Sequence, residues 1–334
     1  MLGTLDVYTE HYGLRDRPFS LVPDPAFLFW SPSHARAHAV LEYGVLTRAP
    51  ITLVTGEVGA GKTTLLHRFL ENAPPELTIG LVSNARGVHD ELLHWVLLAF
   101  GQTPIDASGH VPMFAQFQNF LIEQYATGRR CVLMFDEAQN LPAVSLEELR
   151  MLTNINSNRD ELLQIVLVGQ PELRDTIAQP GMAQFAQRIA ATSHLNAMDE
   201  GTTRDYIAHR LMVAGAQRQI FASDACDAIA RATGGIPRLV NQLCELALVY
   251  GMTSGEDLVS GAVVQQVIDD NLFFYAASAS AYAPPPAPAP VAPSRVAAPS
   301  HPLRPAGMNP APSPYQGGTQ ATPTMLHRPY GQVG

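Results

Sequence analysis

The feature that most constrains this chain is a glycine-rich stretch between an apolar, strand-like run (51–54) and a helix-like run (64–70). Glycine tolerates tight and positive-φ backbone, so the N–H groups of such a loop and of the following helix can surround a polyphosphate. The spacing is G-x-x-x-x-G-K-T, and the predicted phosphate-binding loop comprises Gly56, Glu57, Val58, Gly59, Ala60, Gly61, Lys62, Thr63 and the adjoining Thr64.

Two side chains of this loop predict the ligand. Lys62 is expected to reach the β- and γ-phosphates of a nucleotide, and the Thr63 hydroxyl is expected to bind Mg²⁺. Lys62 is the only lysine in the chain, and the other basic residues are all arginine. A compact ammonium on a flexible stem suits the loop, whereas a planar guanidinium does not. The alternative is an ordinary glycine-rich turn, but the flanking strand and helix patterns favour ATP with Mg²⁺ as the bound cofactors.

Composition narrows the class of protein. The net charge is −9, and it becomes more negative when the three arginines of the C-terminal sixty residues are set aside. A broad nucleic-acid surface normally shows a basic stripe, so nucleic acid is an unlikely partner. The three widely spaced cysteines predict neither a disulfide framework nor a zinc site, and they are typical of reduced core residues. No signal peptide and no apolar run of about 18 to 20 residues is found, so we expect a cytoplasmic protein without a transmembrane segment.

Apolar periodicity predicts an α/β fold. Short apolar runs alternate with helical patterns between residues 47 and 197, which indicates a parallel sheet sandwiched by helices. The run 131–135 is continuously apolar and is therefore expected to be a central strand covered on both faces.

The same patterns predict four segments. Residues 1–46 form an N-terminal strap and a helix capped by Ser33, and residues 47–197 form the nucleotide-binding core. Residues 198–274 are helical throughout and are predicted to form a small lid domain. Residues 275–334 hold fourteen of the 27 prolines and no acidic residue. We expect this tail to be disordered, since its composition cannot bury enough apolar surface to offset the entropy of ordering.

Two carboxylates, Asp136 and Glu137, end the predicted central strand. Downstream of a phosphate loop, Asp136 is suited to hold Mg²⁺ together with Thr63, and Glu137 is suited to polarise the water that attacks the γ-phosphate. The alternative is an acidic cap on the next helix, where Asp and Glu are favourable. The adjacent glutamate favours a water-activating ATPase over a kinase, whose acceptor would need its own pocket.

Gln170 follows the apolar run 163–168. The carboxyl end of that strand is expected beside the Asp136 strand, so Gln170 can orient the same water. A polar residue in an ordinary turn is the alternative.

Two arginines have candidate roles at a phosphate. Arg188 follows a helical stretch, and it is either an arginine finger or a partner of the helix dipole. Arg238 follows Pro237 at the start of a lid helix and can meet a phosphate there. The histidines show no metal-ligand spacing, so we predict that they are surface or packing residues.

Together these motifs resemble the AAA+ ATPases of the general secretion pathway protein A type. The resemblance also includes the segments Tyr12-Gly13-Leu14, Arg17-Pro18-Phe19 and Gly235-Ile236-Pro237-Arg238-Leu239-Val240-Asn241. It implies that Gln170 is a first sensor, that Arg188 is a finger reaching a neighbouring subunit, and that Arg238 is a second sensor. Many members continue into a membrane span and a periplasmic region, whereas here a Pro/Ala-rich tail follows.

The function implied by the resemblance is a Mg²⁺-dependent ATPase at the bacterial inner membrane. It would act as a homo-oligomer with membrane-associated secretion or polysaccharide-export proteins, from the cytoplasm or peripherally at that membrane. Two alternatives stay open: a nucleotide-controlled DNA-binding regulator of the transposition type, and a switch that binds nucleotide but scarcely hydrolyses it.

Overall fold

The computed structural model describes residues 8–22, 24–83, 91–105, 109–157 and 160–271. The predicted Pro/Ala-rich tail lies outside these residues. Within them, every helix falls short of the length and apolar character that a bilayer crossing requires.

The centre of the structure is a five-stranded parallel sheet, as the alternating pattern predicts. Its strands lie in the order β2-β3-β6-β1-β7. Their bounds are β1 Ile51–Gly56, β2 Leu77–Ser83, β3 Arg130–Asp136, β6 Leu163–Gly169 and β7 Ile189–Leu195, and a short antiparallel hairpin pairs β4 Asn156–Ser157 with β5 Asp160–Glu161.

The register aligns the carboxyl ends of the central strands. Thr55 of β1 lies beside Gly169 of β6, and Phe135 of β3 lies beside Leu167 of the same strand. Since all three strands are parallel, the residues that follow them emerge at one edge of the sheet. This is the edge where the sequence places its polar site residues.

The central strands are buried on both faces, as their continuous apolar sequence predicts. In β3, Leu133 and Phe135 join one apolar cluster, while Val132 and Met134 join the cluster on the opposite face. Because successive side chains point to opposite faces, one apolar run supplies both cores. The helices of this part are α2 Pro32–Leu46, α3 Lys62–Glu71, α4 Leu92–Ala99, α5 His110–Ala126, α6 Ala143–Leu152, α7 Glu172–Ile177 and α8 Ala183–Ala186.

Helix α2 begins differently from the prediction. Its N-cap is Ser31, whose hydroxyl accepts a hydrogen bond from the backbone N–H of His34, and Pro32 occupies the first turn. Ser33 does not cap the helix; its hydroxyl accepts from the backbone N–H of Asn196. Proline suits a first helical position because its missing N–H needs no partner there. The helix therefore begins at Pro32, earlier in the chain than predicted.

The described residues from 199 to 271 form four helices, as predicted, and one parallel bridge joins Phe221 to Val259. They build their own apolar cluster, in which Leu243, Cys244 and Leu248 are fully buried. The helices are α9 Glu200–Val213, α10 Ser223–Thr233, α11 Pro237–Thr253 and α12 Gly261–Asp269.

The N-terminal strap packs into this helical cluster. Tyr12 and Phe19 are buried there, and the strap includes a short helix, α1 (Thr9–Tyr12). The Tyr8 hydroxyl donates to Glu245 Oε2 at 2.6 Å, and Arg17 forms an ion pair with the same carboxylate. The strap is therefore attached to the helices that follow the sheet.

Candidate functional site

A cavity of about 740 Å³ lies where the glycine-rich loop, the strap and helix α11 meet. The loop and α3 form its polar wall, and Phe27, Phe29 and Met198 line its apolar part. Cavities of a few hundred to a thousand Å³ with one apolar and one polar wall are typical of small-molecule sites.

The loop has the backbone that the sequence predicts. Gly59 and Gly61 both have positive φ, at 82° and 97°, which side chains rarely tolerate. A Cβ on Gly59 would lie 2.5 Å from the Cβ of Arg238. Gly61 precedes Lys62, the first residue of α3, so the loop runs directly into a helix N-terminus. Such an N-terminus presents unpaired N–H groups and a partial positive charge toward anions.

Lys62 is buried against the loop. Its ammonium donates to the carbonyl oxygens of Gly56 and Glu57 at 2.8 and 2.9 Å. Burial lowers the pKa of Lys62, and the negative charges of Glu137 and Asp136 are the largest effects opposing that shift. The lysine therefore lies among carboxylates and loop carbonyls, and it lines the cavity.

Thr63 and Asp136 meet across the sheet edge. The Thr63 hydroxyl donates to Asp136 Oδ2 at 2.8 Å, although the two residues are 73 positions apart in sequence. Two hard oxygen donors are therefore adjacent at the foot of the loop, which is the donor chemistry that Mg²⁺ prefers. The other carboxylate oxygen of Asp136 accepts from the backbone N–H of Glu137.

Glu137 has a strained backbone. Its φ and ψ are 55° and 39°, in the left-handed region that is uncommon for residues other than glycine. Strained residues persist only where their surroundings hold them, and they cluster at functional sites. This backbone conformation distinguishes Glu137 from an ordinary helix N-cap, whose backbone lies in the β region.

Two amide side chains hold the Glu137 carboxylate. Gln170 donates to Oε2 at 3.1 Å, and Gln139 donates to the same oxygen at 2.5 Å. The side-chain oxygen of Gln139 also accepts from the backbone N–H of Gln170 at 2.9 Å. The structure therefore brings Gln170 to the carboxylate, as the parallel sheet predicts.

Gln139 was not predicted as a site residue. It lies in a single 3₁₀ turn, Ala138–Asn140, immediately after Glu137. Its proximity in sequence to Asp136 and Glu137 was the available signal, but the contact with Gln170 depends on the register of two strands.

Arg238 reaches the site from the helical part. It lies in the first turn of α11, after Pro237, and its backbone N–H donates to the Gly59 carbonyl at 3.3 Å. Its side chain lines the same cavity as Lys62 and Thr63. The structure thus places Arg238 at the start of a helix, as predicted, and also against the loop, while its contact with a phosphate stays a prediction.

Arg188 lies elsewhere. Its guanidinium forms an ion pair with Glu161 Oε1 at 3.2 Å and donates to the side-chain oxygen of Asn154. It is not among the residues that line the cavity. Both partners lie at or beside the β4–β5 hairpin, so Arg188 is separate from the loop of its own chain.

His34 is a further residue at the loop that the sequence did not single out. It is buried, lines the cavity, and packs from helix α2 against Gly61. The sequence held no signal for this contact, because nothing in the spacing of the histidines relates His34 to a loop 27 positions later.

Two comparisons with known proteins point to the same family. A family model described as an AAA domain matches residues 46–177. General secretion pathway protein A of Aeromonas hydrophila is 39% identical over 250 residues, which cover 75% of this chain and 46% of that protein. The chain thus spans about half the length of this relative.

Solved structures show the same fold. CDC6P from Pyrobaculum aerophilum is similar with a TM-score of 0.59 at 16% identity, over 77% of this chain and 71% of that chain. The Aeropyrum pernix ORC2 protein, in ADPNP-ADP complexes, is similar with a TM-score of 0.53 at 19% identity, over 76% and 71%. At these identities the likeness concerns the arrangement of sheet and helices alone.

Proposed function

The chain belongs to the AAA P-loop ATPases related to general secretion pathway protein A, and on that premise we propose that it hydrolyses ATP with Mg²⁺. One observation carries the proposal. A single sheet edge gathers the loop, the Thr63–Asp136 pair and the Glu137 carboxylate beside one cavity. A phosphate cradle, an oxygen-donor pair and a positioned carboxylate are the parts that phosphoryl transfer to water requires.

The residues fit a nucleotide and its metal ion. Gly59 and Gly61 have no side chains in the cradle, and Lys62 supplies a positive charge beside it. The Thr63 hydroxyl and the Asp136 carboxylate would hold Mg²⁺, which supplies charge neutralisation on the phosphate oxygens. The nine residues from Gly56 to Thr64 would contact the phosphates through their backbone N–H groups and the side chains of Lys62 and Thr63.

Glu137 is the residue that we propose as the general base. Its carboxylate takes the proton of the attacking water, which raises the electron density on the water oxygen. Gln139 and Gln170 hold the carboxylate in place through their amide N–H groups. Because the Gln139 side chain also bonds the backbone of Gln170, a shift of either strand end moves the base.

The two arginines act from different sides. Arg238 contacts the nucleotide of its own chain from the lid and couples lid position to the bound phosphates. Arg188 pairs with Glu161 and is not among the residues that line its own cavity, which suits a finger that completes the site of a neighbouring subunit. This arrangement makes activity depend on a homo-oligomer.

The biological role follows from the relative. We propose that the ATPase cycle supports the assembly or operation of a bacterial membrane-associated secretion or exopolysaccharide-export system, from the cytoplasm or at the inner membrane surface. The proposed units are the strap and α2 (1–46), the core (47–197), the lid (198–274) and the tail (275–334). The strap contacts through Tyr8 and Arg17 suggest that strap and lid move together.

Paired substitutions test the activity. Lys62→Ala removes a charged contact to phosphate and should weaken ATP binding by about 10- to 100-fold. Glu137→Gln spares the cradle, so ATP affinity should persist while hydrolysis falls by about 10²- to 10⁴-fold. Affinity is measured by calorimetry, and hydrolysis by single-turnover phosphate release.

Glu172→Gln is the matched control for the loss of one negative charge near Lys62. It should hydrolyse ATP at the wild-type rate. If Glu137→Gln also retained that rate, Glu137 would not be the base.

A further inference from the structure

Three hydrogen-bonded polar side chains lie in the helical wall of the cavity. Tyr206 and Arg210 belong to α9 and Asn241 to α11, all three are buried, and all three line the cavity. The Arg210 guanidinium lies 2.8 Å from the Tyr206 hydroxyl, and that hydroxyl lies 2.7 Å from Oδ1 of Asn241. Buried polar groups joined in this way hold one another in a fixed arrangement.

The chemistry of the three groups sets the direction of each hydrogen bond. A guanidinium can only donate, so the Tyr206 oxygen is the acceptor of the first bond. Burial raises the pKa of Tyr206, so the phenol keeps its proton and donates it to the Asn241 side chain. An amide turned the other way would leave this buried phenolic proton without an acceptor, which is costly. The amide oxygen of Asn241 therefore faces Tyr206.

The N–H₂ group of the same amide is turned toward open space. Among the residues that the structure describes, the Asn241 side chain makes no hydrogen bond besides the one with Tyr206. Its Nδ2 atom is nevertheless not one of the sealed, unpartnered polar atoms of this part of the chain. The nitrogen is therefore accessible, and the open space that Asn241 borders is the cavity.

Aromatic side chains of the strap pack on this group of residues. The Phe29 ring meets the Tyr206 ring edge to face with centroids 5.6 Å apart, and the Arg210 guanidinium lies 5.2 Å from the centre of the Phe27 ring. Both phenylalanines also line the cavity. Apolar walls with a few placed polar groups are typical of sites for flat organic ligands, and the polar groups fix the orientation of the ligand.

Helix α11 connects this wall to the phosphate loop. Arg238 and Asn241 are three positions apart on the helix, so they lie on one face with Cβ atoms about 5–6 Å apart. The backbone N–H of Arg238 donates to the Gly59 carbonyl, and both residues line the cavity. One nucleotide can therefore contact the loop through its phosphates and Asn241 through its base.

We propose that Asn241 is a specificity-determining residue whose amide N–H₂ donates to a ring nitrogen of the purine base, and that Tyr206 and Arg210 are its positioning residues. The inference rests on the proposed ATPase function and names the group that reads the base. Since Tyr206 uses the amide oxygen, Asn241 does not accept from the exocyclic amine of adenine. It reads a single ring acceptor, unlike a free asparagine amide, which can pair with an acceptor and a donor at once. The positive charge of Arg210 polarises the chain and strengthens the N–H donor at its end.

Deaza analogues of ADP test the contact, because each replaces one ring nitrogen of the base by C–H. The probes are 1-deaza-, 3-deaza- and 7-deaza-ADP, and their affinities are measured by calorimetry on the full chain. One of the three should bind the wild type about 3- to 10-fold more weakly than ADP does, the value of one hydrogen bond. Asn241→Leu should bind that analogue and ADP equally, since the donor is gone.

Two further variants and a control complete the series. Asn241→Asp keeps the oxygen that accepts from Tyr206 and replaces the N–H₂ group by a second oxygen, so it should bind that analogue no more weakly than ADP. Tyr206→Phe removes the bond that orients the amide, and it should reduce the discrimination. Gln242→Leu is the matched control, because Gln242 is the next residue of α11 and is not among those that line the cavity. It should discriminate as the wild type does.

Several results would overturn the role of Asn241. Equal affinity of the wild type for ADP and all three analogues would show that no ring nitrogen is read. Discrimination that persists in Asn241→Leu and Asn241→Asp would assign the contact to another donor, and undiminished discrimination in Tyr206→Phe would remove the positioning role. In each of these cases ATP hydrolysis by the wild type, measured as phosphate release, still stands as the proposed function. A wild type that does not bind ADP would refute the proposed function, and the role of Asn241 with it.

Discussion

Two adjacent glycines between α10 and α11 offer a matched test of how tightly this turn packs against the start of the lid. Gly234 and Gly235 both have positive φ, at 57° and 71°. A Cβ on Gly234 would meet nothing within 4 Å, whereas a Cβ on Gly235 would lie 1.8 Å from the backbone oxygen of Met198. Met198 lines the cavity, so the same backbone contact lies beside the proposed nucleotide site.

The two substitutions should differ by a calculable amount. Alanine at either position has the cost of left-handed backbone, about 1–2 kcal/mol. At Gly235 the neighbouring segment must also move by more than an ångström to reach ordinary contact. That shift removes the hydrogen bond from the Met198 N–H to the Gly235 carbonyl, now 2.9 Å, which adds about 1–3 kcal/mol for buried groups left unpaired.

Thermal unfolding monitored by circular dichroism distinguishes the two. A change of 1 kcal/mol shifts Tm by about 2–4 °C in a chain of this size. We expect Gly234→Ala to lower Tm by roughly 2–8 °C and Gly235→Ala to lower it by roughly 2–12 °C more. ATP affinity should fall only in Gly235→Ala. Equal Tm shifts and equal ATP affinities would refute the reasoning, because they would show that the Met198 contact carries no weight.

Two further predictions concern the oligomer and the thiols. Arg188→Ala and Glu137→Gln should each be inactive alone and regain ATPase activity when mixed, because a mixed interface pairs an intact finger with an intact base; mixed oligomers without activity would contradict the finger. Burial raises the pKa of the Cys131 thiol to about 12, that of Cys226 to about 11 and that of Cys244 well above its usual value. At pH 8 the thiolate fraction is therefore on the order of one in a thousand or less. Ellman's reagent should label all three cysteines only after denaturation, and rapid labelling of the folded protein would show that the thiols are not buried.

The parts of the site that are continuous in sequence were predictable. The loop from Gly56 to Thr63 combines glycine spacing, one lysine and a strand-to-helix transition within eight residues, and local geometry decides its shape. Asp136 and Glu137 follow an apolar run, so their place at a strand end required only the period of the sequence. Gln170 was predictable to the extent that neighbouring parallel strands end at one edge.

Tertiary structure decided the contacts between distant segments. Ser31, not Ser33, caps α2, and the packing of that helix brings His34 against Gly61. The Arg188 guanidinium binds Glu161 and Asn154, because the β4–β5 hairpin between α6 and β6 lies beside it. The sequence predicted an N-terminal strap, but only the fold showed that it packs into the helical cluster around Leu243.

The physical reason is the range of the interactions. Backbone preference, apolar period and glycine conformation act over a few residues, so they appear as patterns in the sequence. The bond between Gln139 and Gln170 joins segments 31 residues apart, and its geometry depends on sheet order and register. The sequence alone therefore determined which chemistry the chain carries, and the packing of sheet, helix and strap decided which side chains hold that chemistry in position.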